Sequence, residues 1–161
     1  MSAMETIALN LTVNGRAQAW AVAPGERLSD ALRRAGYLGV KVGCSTGDCG
    51  TGTVLRHGKP ILACLMLAAQ AQGAELITVE GLARGPKLHP IQEAFLDEGA
   101  VQCGFCSPAM ILSGAALLAE NPDPSEAQAR ECLSATLCRC TGYEAPVRAI
   151  LSAAQRMKGE K

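Results

Sequence analysis

The chain of 161 residues is long enough for one ordinary domain or for two small ones that share a core. Its 15 Lys and Arg residues balance 15 Asp and Glu residues, which excludes the basic surface of a nucleic-acid-binding protein or a polybasic membrane arm. A hydrophobic content of 48% excludes a disordered chain, and no uncharged apolar run reaches the roughly 18 residues of a membrane span.

The N-terminal segment predicts a hairpin followed by a helix. Apolar and polar residues alternate from Ile7 to Val13, which is the period of a half-buried strand. Asn14 and Gly15 then predict a tight hairpin turn, with a second strand through residues 20–22. Apolar residues at helical spacing predict a helix that ends at Gly36.

Three further short strands are expected in the first half of the chain. Residues 53–55 and 61–63 are predicted strands joined by a turn over 56–60, and residues 76–79 supply the last strand. The order of hairpin, helix, hairpin and strand is typical of a β-grasp sheet wrapped on one helix. Another α+β sandwich is the alternative interpretation of the same pattern.

After Gly81 the strand patterns end, and Gly-Pro and His-Pro pairs indicate a linker. Four helical patterns follow, at residues 91–98, 108–119, 124–133 and 146–158. Ser107 and Ser125 precede two of them and are predicted N-caps. Because Ala-rich helices pack closely, we expect a short four-helix bundle. The predicted fold class is therefore α+β, with a ferredoxin-like β-grasp domain over residues 1–81 and a helical domain over residues 82–161.

Eight cysteines are the unusual feature of the composition. The N-terminus lacks the apolar core of a secretory signal peptide, so a cytoplasmic location is expected, and export together with a partner subunit stays open. Clustered thiols in a reducing compartment indicate a metal, and thiolates suit zinc or iron–sulfur clusters. Cys132 stands alone at an apolar position of a predicted helix and is expected to be a packing residue.

Four of the cysteines form a C-terminal set. Cys103 and Cys106 are separated by two residues, and Cys138 and Cys140 by one. Each pair stands at a break between predicted helices, and four thiolates supply the two ligands that each iron of a [2Fe–2S] cluster needs. A zinc site of four thiolates is the alternative, although a C-x-C pair between helices is less typical of zinc ribbons.

A second set surrounds a glycine-rich loop. Cys44 and Cys49 match the start of the plant-type ferredoxin spacing C-x4-C-x2-C, and Cys64 fits the distant fourth ligand. The third position of that spacing falls on Gly52. Glycines allow positive φ and a close approach of backbone N–H groups to sulfur. A phosphate loop is excluded, since the loop has neither Gly-Lys-Ser/Thr nor GxGxxG.

Three segments carry a resemblance to a known family: VGCSTGDCGTGTVLRHGKPILAC, VQCGFCSPAMILS and LCRCTGY. They resemble the small iron–sulfur subunit of the molybdenum hydroxylases, the family of xanthine dehydrogenase, carbon monoxide dehydrogenase and isoquinoline oxidoreductase. The resemblance runs over nearly the whole chain. It implies two [2Fe–2S] clusters, one in an N-terminal β-grasp domain and one in a C-terminal four-helix bundle. It also implies association with a large molybdopterin-binding subunit and often with a flavin subunit.

The resemblance implies the environment of the C-terminal cluster residue by residue. Its ligands would be Cys103, Cys106, Cys138 and Cys140. This cluster would be the one nearer the molybdopterin, with Gln102 and Cys140 beside the pterin. Ala109 is a departure, because the family usually has Gly at that position.

The same resemblance assigns Cys44, Cys49 and Cys64 to the outer cluster, which would face the flavin or another acceptor. Gly52 stands where the family has the fourth Cys, so three outcomes are open: an empty site, a [2Fe–2S] cluster completed by an oxygen ligand, or a three-iron cluster. The oxygen ligand would be water or one of the nearest side chains, Asp48, Thr51 and Thr53. The retained glycines favour a bound cluster, which an oxygen ligand would make more labile than the C-terminal one.

The residues and the resemblance together predict an electron-transfer subunit of a molybdopterin-dependent hydroxylase or aldehyde oxidoreductase. Two clusters would carry electrons singly from the molybdenum centre to the acceptor, and the chain itself would be non-catalytic. The alternatives are a cysteine-rich zinc-binding interaction module and a free-standing ferredoxin. The balanced charge and the second cysteine set argue against the free-standing ferredoxin.

Overall fold

The computed structural model describes residues 6–159 and places a five-stranded sheet before four α-helices. The sheet half contains β1 (Ile7–Val13), β2 (Arg16–Val22), α1 (Leu28–Arg34), β3 (Thr53–Arg56), β4 (Lys59–Leu62) and β5 (Glu75–Ile77). The helical half contains α2 (Pro90–Asp97), α3 (Ser107–Glu120), α4 (Glu126–Ser134) and α5 (Glu144–Gly159). Short 3-10 turns at Ala68–Ala71 and Val79–Gly81 flank β5.

The sheet has the strand order β2-β1-β5-β3-β4. Strands β1 and β5 pair in parallel, whereas β1 with β2, β3 with β4 and β3 with β5 pair antiparallel. Leu28, Ala31 and Leu32 on α1 are buried in the same core as the inward side chains of β1. This is the β-grasp arrangement that the sequence predicts, and the α+β fold class is confirmed.

The second hairpin turns more tightly than the sequence predicts. His57 and Gly58 have positive φ values of 50° and 78°, so these two residues alone join β3 to β4. Pro60 lies within β4 rather than in the turn, which is tolerated because β4 is the edge strand. Strand β5 ends earlier than predicted because the Thr78 N–H donates to Asn14 Oδ1 at 2.9 Å instead of continuing the sheet.

The N-terminal caps of α3 and α4 differ from each other. Ser125 caps α4 as predicted, since the Gln128 N–H donates to Ser125 Oγ at 3.3 Å. The prediction of Ser107 as a cap is wrong: Cys106 occupies the N-cap position, and Ser107 is already the first residue of α3. The Ser107 Oγ is buried without a hydrogen-bond partner among the described residues. The helix therefore begins one residue before the predicted start at Pro108.

Each half of the molecule has its own apolar core. The helical core brings all four helices together around large buried side chains such as Phe95 and Ile150. A third, smaller cluster of Leu55, Leu112 and Ala116 lies between the halves. Because Leu55 belongs to β3 and the other two to α3, this cluster fixes the sheet against the bundle.

Candidate metal centres

The first cysteine set begins in the loop between α1 and β3. Ser45, Gly47 and Gly50 have positive φ values of 62°, 91° and 69°, so the loop curls back on itself. The Cys49 N–H donates to Cys44 Sγ at 3.4 Å, which brings these two cysteines together. Backbone N–H groups directed at sulfur are the environment that a thiolate-bound cluster requires.

Cys64 joins this loop from the end of β4. The residue is 4% exposed, and burial raises the pKa of its thiol, with a further contribution from the nearby charges of Cys44 and Cys49. A Cβ built at Gly52 would lie 3.2 Å from Cys64 Sγ. The structure therefore brings the three predicted cysteines of this set together and places position 52 beside the third.

The second cysteine set lies at one end of the helical bundle. Cys103 and Cys106 occupy the turn before α3, and Cys138 and Cys140 occupy the segment between α4 and α5. Cys138 adds to the effect of burial in raising the pKa of Cys106, and Cys103 raises the pKa of Cys140, so these side chains are near neighbours. The structure thus gathers all four predicted residues, with Cys106 buried and Cys103 and Cys140 exposed.

Tyr143 anchors the segment that carries Cys138. Its hydroxyl accepts a hydrogen bond from the Cys138 N–H at 2.9 Å and donates to the Thr136 carbonyl oxygen at 3.1 Å. Thr141 Oγ1 lies 3.1 Å from Cys138 Sγ. The sequence analysis does not predict these contacts of Thr141 and Tyr143. Their only signal in the sequence is that Thr-Gly-Tyr directly follows Cys140.

We expect Tyr143→Phe to loosen the C-terminal site, because it leaves the Cys138 N–H and the Thr136 carbonyl without their shared partner. Loss of such buried hydrogen bonds costs about 1–3 kcal/mol. Thermal unfolding of the isolated complex should detect the lower stability, and iron release to a chelator should be faster. Tyr37→Phe is the matched control, since Tyr37 packs on Trp20 in the other half. Equal effects of the two variants would contradict the anchoring role.

Hydrogen bonds and burial move the thiol pKa values in opposite directions. A hydrogen bond with the Thr46 hydroxyl, helped by backbone N–H groups, lowers the pKa of Cys44 to about 6. Burial raises the pKa of Cys138, but hydrogen bonds with Thr141 and with backbone N–H groups outweigh it and bring that pKa to about 7. Burial raises the pKa of Cys106 to about 12. Each set therefore contains one thiol that ionises near neutral pH. The resulting thiolate is the form in which cysteine binds metal.

The two cysteine sets meet at a backbone contact. The Leu137 N–H donates to the Cys49 carbonyl oxygen at 2.9 Å, so the residue before Cys138 is bonded directly to a cysteine of the first set. A Cβ built at Gly50 would lie 1.9 Å from the Ala135 carbonyl oxygen. Only glycine allows the two segments to approach this closely.

Cys132 lies on α4 and belongs to neither set. It is half-buried, and burial raises its pKa to about 11. It lines a groove of about 420 Å³ between β4 and helices α3 and α4. The residue is thus half-buried at the side of the bundle, whereas the sequence predicts a buried packing position.

We therefore expect Cys132→Ala to leave the iron content and the reduction spectrum of the protein unchanged. The substitution removes a small half-buried thiol, so its effect on stability should stay near the roughly 1 kcal/mol typical of point mutations. Metal analysis and visible spectroscopy of the variant check this. Loss of iron would show that Cys132 is a ligand.

The donor chemistry of both sets fits iron–sulfur clusters. Within residues 6–159, no three His, Cys, Asp or Glu side chains form a group suited to a single metal ion. A [2Fe–2S] core divides its four thiolates between two irons, so it needs thiols in pairs. The C-terminal set offers two such pairs. The N-terminal set offers three thiols, and its loop backbone passes close to them, since a Cβ built at Gly43 would lie 3.0 Å from Cys49 Sγ.

Known proteins match the chain over both halves. The family profile described as "2Fe-2S iron-sulfur cluster binding domain" matches residues 11–77, and the one described as "[2Fe-2S] binding domain" matches residues 78–151. The chain is 48% identical to the nicotinate dehydrogenase small FeS subunit of Eubacterium barkeri, over 87% of the chain and 90% of that relative. The chain belongs to the iron–sulfur subunits of the molybdenum hydroxylase family. Its molybdenum hydroxylase resemblance is thereby confirmed.

This iron–sulfur subunit has other similar relatives. It is 44% identical to the xanthine dehydrogenase iron-sulfur-binding subunit of Escherichia coli O157:H7, over 94% of the chain and 96% of the relative. The crystal structure of quinoline 2-oxidoreductase from Pseudomonas putida 86 superposes with a TM-score of 0.92 at 43% identity, over 96% of this chain and 97% of that one. The aldehyde oxidoreductase of Megalodesulfovibrio gigas is 43% identical over 94% of the chain, which corresponds to 17% of its length. In that protein the iron–sulfur part is fused into a longer polypeptide.

These matches confirm the predicted functional class. The iron–sulfur subunit carries two [2Fe–2S]-binding domains and serves electron transfer as a non-catalytic part of an oxidoreductase complex. Members of the family work together with a large molybdopterin subunit. None of the helices in the described part of the chain combines the length and the hydrophobicity that a bilayer-spanning segment requires.

Proposed function

We propose that the two cysteine sets hold two clusters in series between the molybdenum centre and an electron acceptor. The C-terminal ligands are Cys103, Cys106, Cys138 and Cys140, and the N-terminal ligands are Cys44, Cys49 and Cys64. The bound clusters supply one-electron transfer. We propose that the β-grasp domain ends at residue 81 and the cluster-binding bundle begins at residue 82, in accord with the two separate cores.

The observation that carries this proposal is the hydrogen bond between the two sets. The Leu137 N–H and the Cys49 carbonyl oxygen are 2.9 Å apart, and Leu137 is covalently joined to Cys138. Cys49 and Cys138 are ligands of different clusters in the proposal, so three residues connect the two sites. Phe105 lies at the same junction, with Cε1 3.3 Å from the Cβ position of Gly43. These contacts support a short connection between the two sites.

We propose that the large molybdopterin subunit docks on the bundle end. Cys103, Cys140 and Gln102 are exposed there, and Phe105 and Leu137 remain 44% and 60% exposed. Large apolar side chains that are exposed together mark a surface for binding another protein. Gln102 and Cys140 are the residues that we place beside the pterin.

The acceptor side is proposed at the N-terminal loop. Leu38, Val42 and Leu65 are exposed around the first cysteine set, with Leu65 covering Gly47. A flavin subunit or another acceptor would dock on this apolar surface. We propose a cytoplasmic location, since none of the eight cysteines, all within the described residues, forms a disulfide and both sites need their cysteines reduced.

Isolation of the native complex through a tag on this chain tests the proposed function. We expect a larger subunit to co-purify with molybdenum in equal amount, and the red-brown complex to bleach when its substrate or dithionite reduces it. A colourless preparation that contains zinc would support the interaction module instead. A coloured chain that purifies without a partner would support a free-standing ferredoxin.

A further inference from the structure

Gly52 has a backbone conformation that accepts a side chain, and that side chain would point at Cys64. Its φ lies outside the left-handed region, in contrast to Gly47 and Gly50. A Cβ there would lie 3.2 Å from Cys64 Sγ and 3.4 Å from the Lys41 carbonyl oxygen. Both Gly52 and Cys64 are buried, so a side chain at position 52 fits once Cys64 shifts by a few tenths of an ångström, and glycine supplies no ligand there.

The three thiols of this set divide into a pair and a single residue. Cys44 and Cys49 are joined by the 3.4 Å hydrogen bond from the Cys49 N–H to Cys44 Sγ. Cys64 has position 52 as its neighbour instead. Because each iron of a [2Fe–2S] core takes two terminal ligands, the missing ligand belongs to the iron that Cys64 binds.

Two of the three candidate oxygen side chains are engaged elsewhere in the loop. Thr51 Oγ1 lies 3.1 Å from Cys49 Sγ, which places it beside the complete pair. Thr53 Oγ1 donates to the Gly50 carbonyl oxygen at 2.7 Å. Neither hydroxyl is directed at Cys64.

The third candidate lies on the surface. Asp48 is exposed, and its Oδ2 accepts a hydrogen bond from the Thr46 hydroxyl at 2.5 Å. Its carboxylate is therefore held at the outer rim of the loop. The expectation that a side chain of this chain completes the cluster receives no support from these three residues.

We infer that position 52 would supply no ligand to the iron held by Cys64, so that water or a small thiolate from solution would complete the site there. This inference rests on the proposed N-terminal cluster. Replacement of water by the thiolate would be a ligand substitution, in which water leaves as the thiolate sulfur binds and no electron is transferred. Soft thiolate is the ligand that iron in such a cluster prefers.

The open position has a consequence for the charge of the site. A neutral oxygen ligand contributes no negative charge, whereas a fourth thiolate contributes one. Net charge is one of the factors that set the reduction potential of a cluster. The N-terminal cluster of the native chain is therefore easier to reduce than that of a Gly52→Cys variant.

The test compares the native complex with the Gly52→Cys and Gly52→Ala variants. Each reduced complex is treated with 2-mercaptoethanol, and a phosphine reductant without a thiol serves as the control. We expect the thiol to shift one of the two cluster EPR signals in the native and Gly52→Ala complexes and neither signal in Gly52→Cys. Water enriched in ¹⁷O should broaden the same native signal and leave that of Gly52→Cys sharp.

The outcomes separate this inference from the proposed function. About four irons per chain with a native signal that is insensitive to both thiol and ¹⁷O would overturn the open position alone. An equal thiol response in Gly52→Cys would also overturn it, because that variant has its fourth thiolate. About two irons per chain in the native complex would overturn the N-terminal cluster itself, together with the inference that rests on it.

Discussion

Cys106→Ala will leave the C-terminal half without its cluster and will prevent assembly with the large subunit. The Cys106 thiol is 6% exposed, lies in the helical core and faces Cys138 across the bundle end. Its loss removes one ligand of four and leaves a hole where the first turn of α3 meets the cluster. Since metal binding and folding are coupled in such sites, the interface formed by this end of the bundle should not form.

The measurement is the yield and the iron content of the complex after isolation through the partner subunit. Cys132→Ala is the matched control, because it removes a thiol from the same bundle outside the cysteine set. We expect the control complex to assemble in full and the Cys106→Ala complex to be absent. A stable, fully assembled Cys106→Ala complex would contradict this prediction.

Gly50→Ala will separate the two cysteine segments. The added Cβ would lie 1.9 Å from the Ala135 carbonyl oxygen, a backbone atom that cannot move without the segment that leads to Cys138. The φ of 69° adds strain of about 1–2 kcal/mol for a residue with a Cβ. Overpacking at such a contact adds roughly 1–3 kcal/mol. The hydrogen bond between Leu137 and Cys49 should lengthen or break, and electrons should reach the N-terminal cluster more slowly.

Gly58→Ala supplies the control for backbone strain. Gly58 has a similar φ of 78°, but nothing lies within 4 Å of its Cβ position. We expect Gly58→Ala to lower stability by the strain alone and Gly50→Ala to lower it further. Freeze-quench EPR after rapid reduction follows the order in which the two clusters accept electrons. Equal transfer rates in the two variants would contradict the proposed route.

Local patterns of the sequence predict the elements of the fold well. The alternation in β1, the Asn-Gly turn and the helical spacing of α1 are set by near neighbours, and the structure places each of them where the pattern does. Strand β5 ends early because Asn14, which is 64 positions away, binds Thr78. Such an interaction between distant segments leaves no periodic signal.

In the candidate sites, too, the sequence predicts features set by nearby residues and misses those set by contacts between distant segments. Spacing identifies the cysteines of both sets, because ligands of one cluster come in close pairs along the chain. It does not identify which thiols face each other, nor the support that Tyr143 gives to Cys138. Ser107 is a residue type that favours the N-cap, but in the structure Cys106 takes that position and Ser107 is already helical. These features depend on packing of the finished bundle.

The most direct test of the account is the iron and sulfide content of the native complex together with EPR of its oxidised and reduced forms. If both cysteine sets hold [2Fe–2S] clusters, the complex contains about four irons per iron–sulfur subunit, is EPR-silent when oxidised and gives two distinct signals when reduced. Two irons and one signal would contradict a cluster at Cys44, Cys49 and Cys64. A signal from the oxidised protein would instead assign a three-iron cluster to that site and contradict the proposed [2Fe–2S] pair.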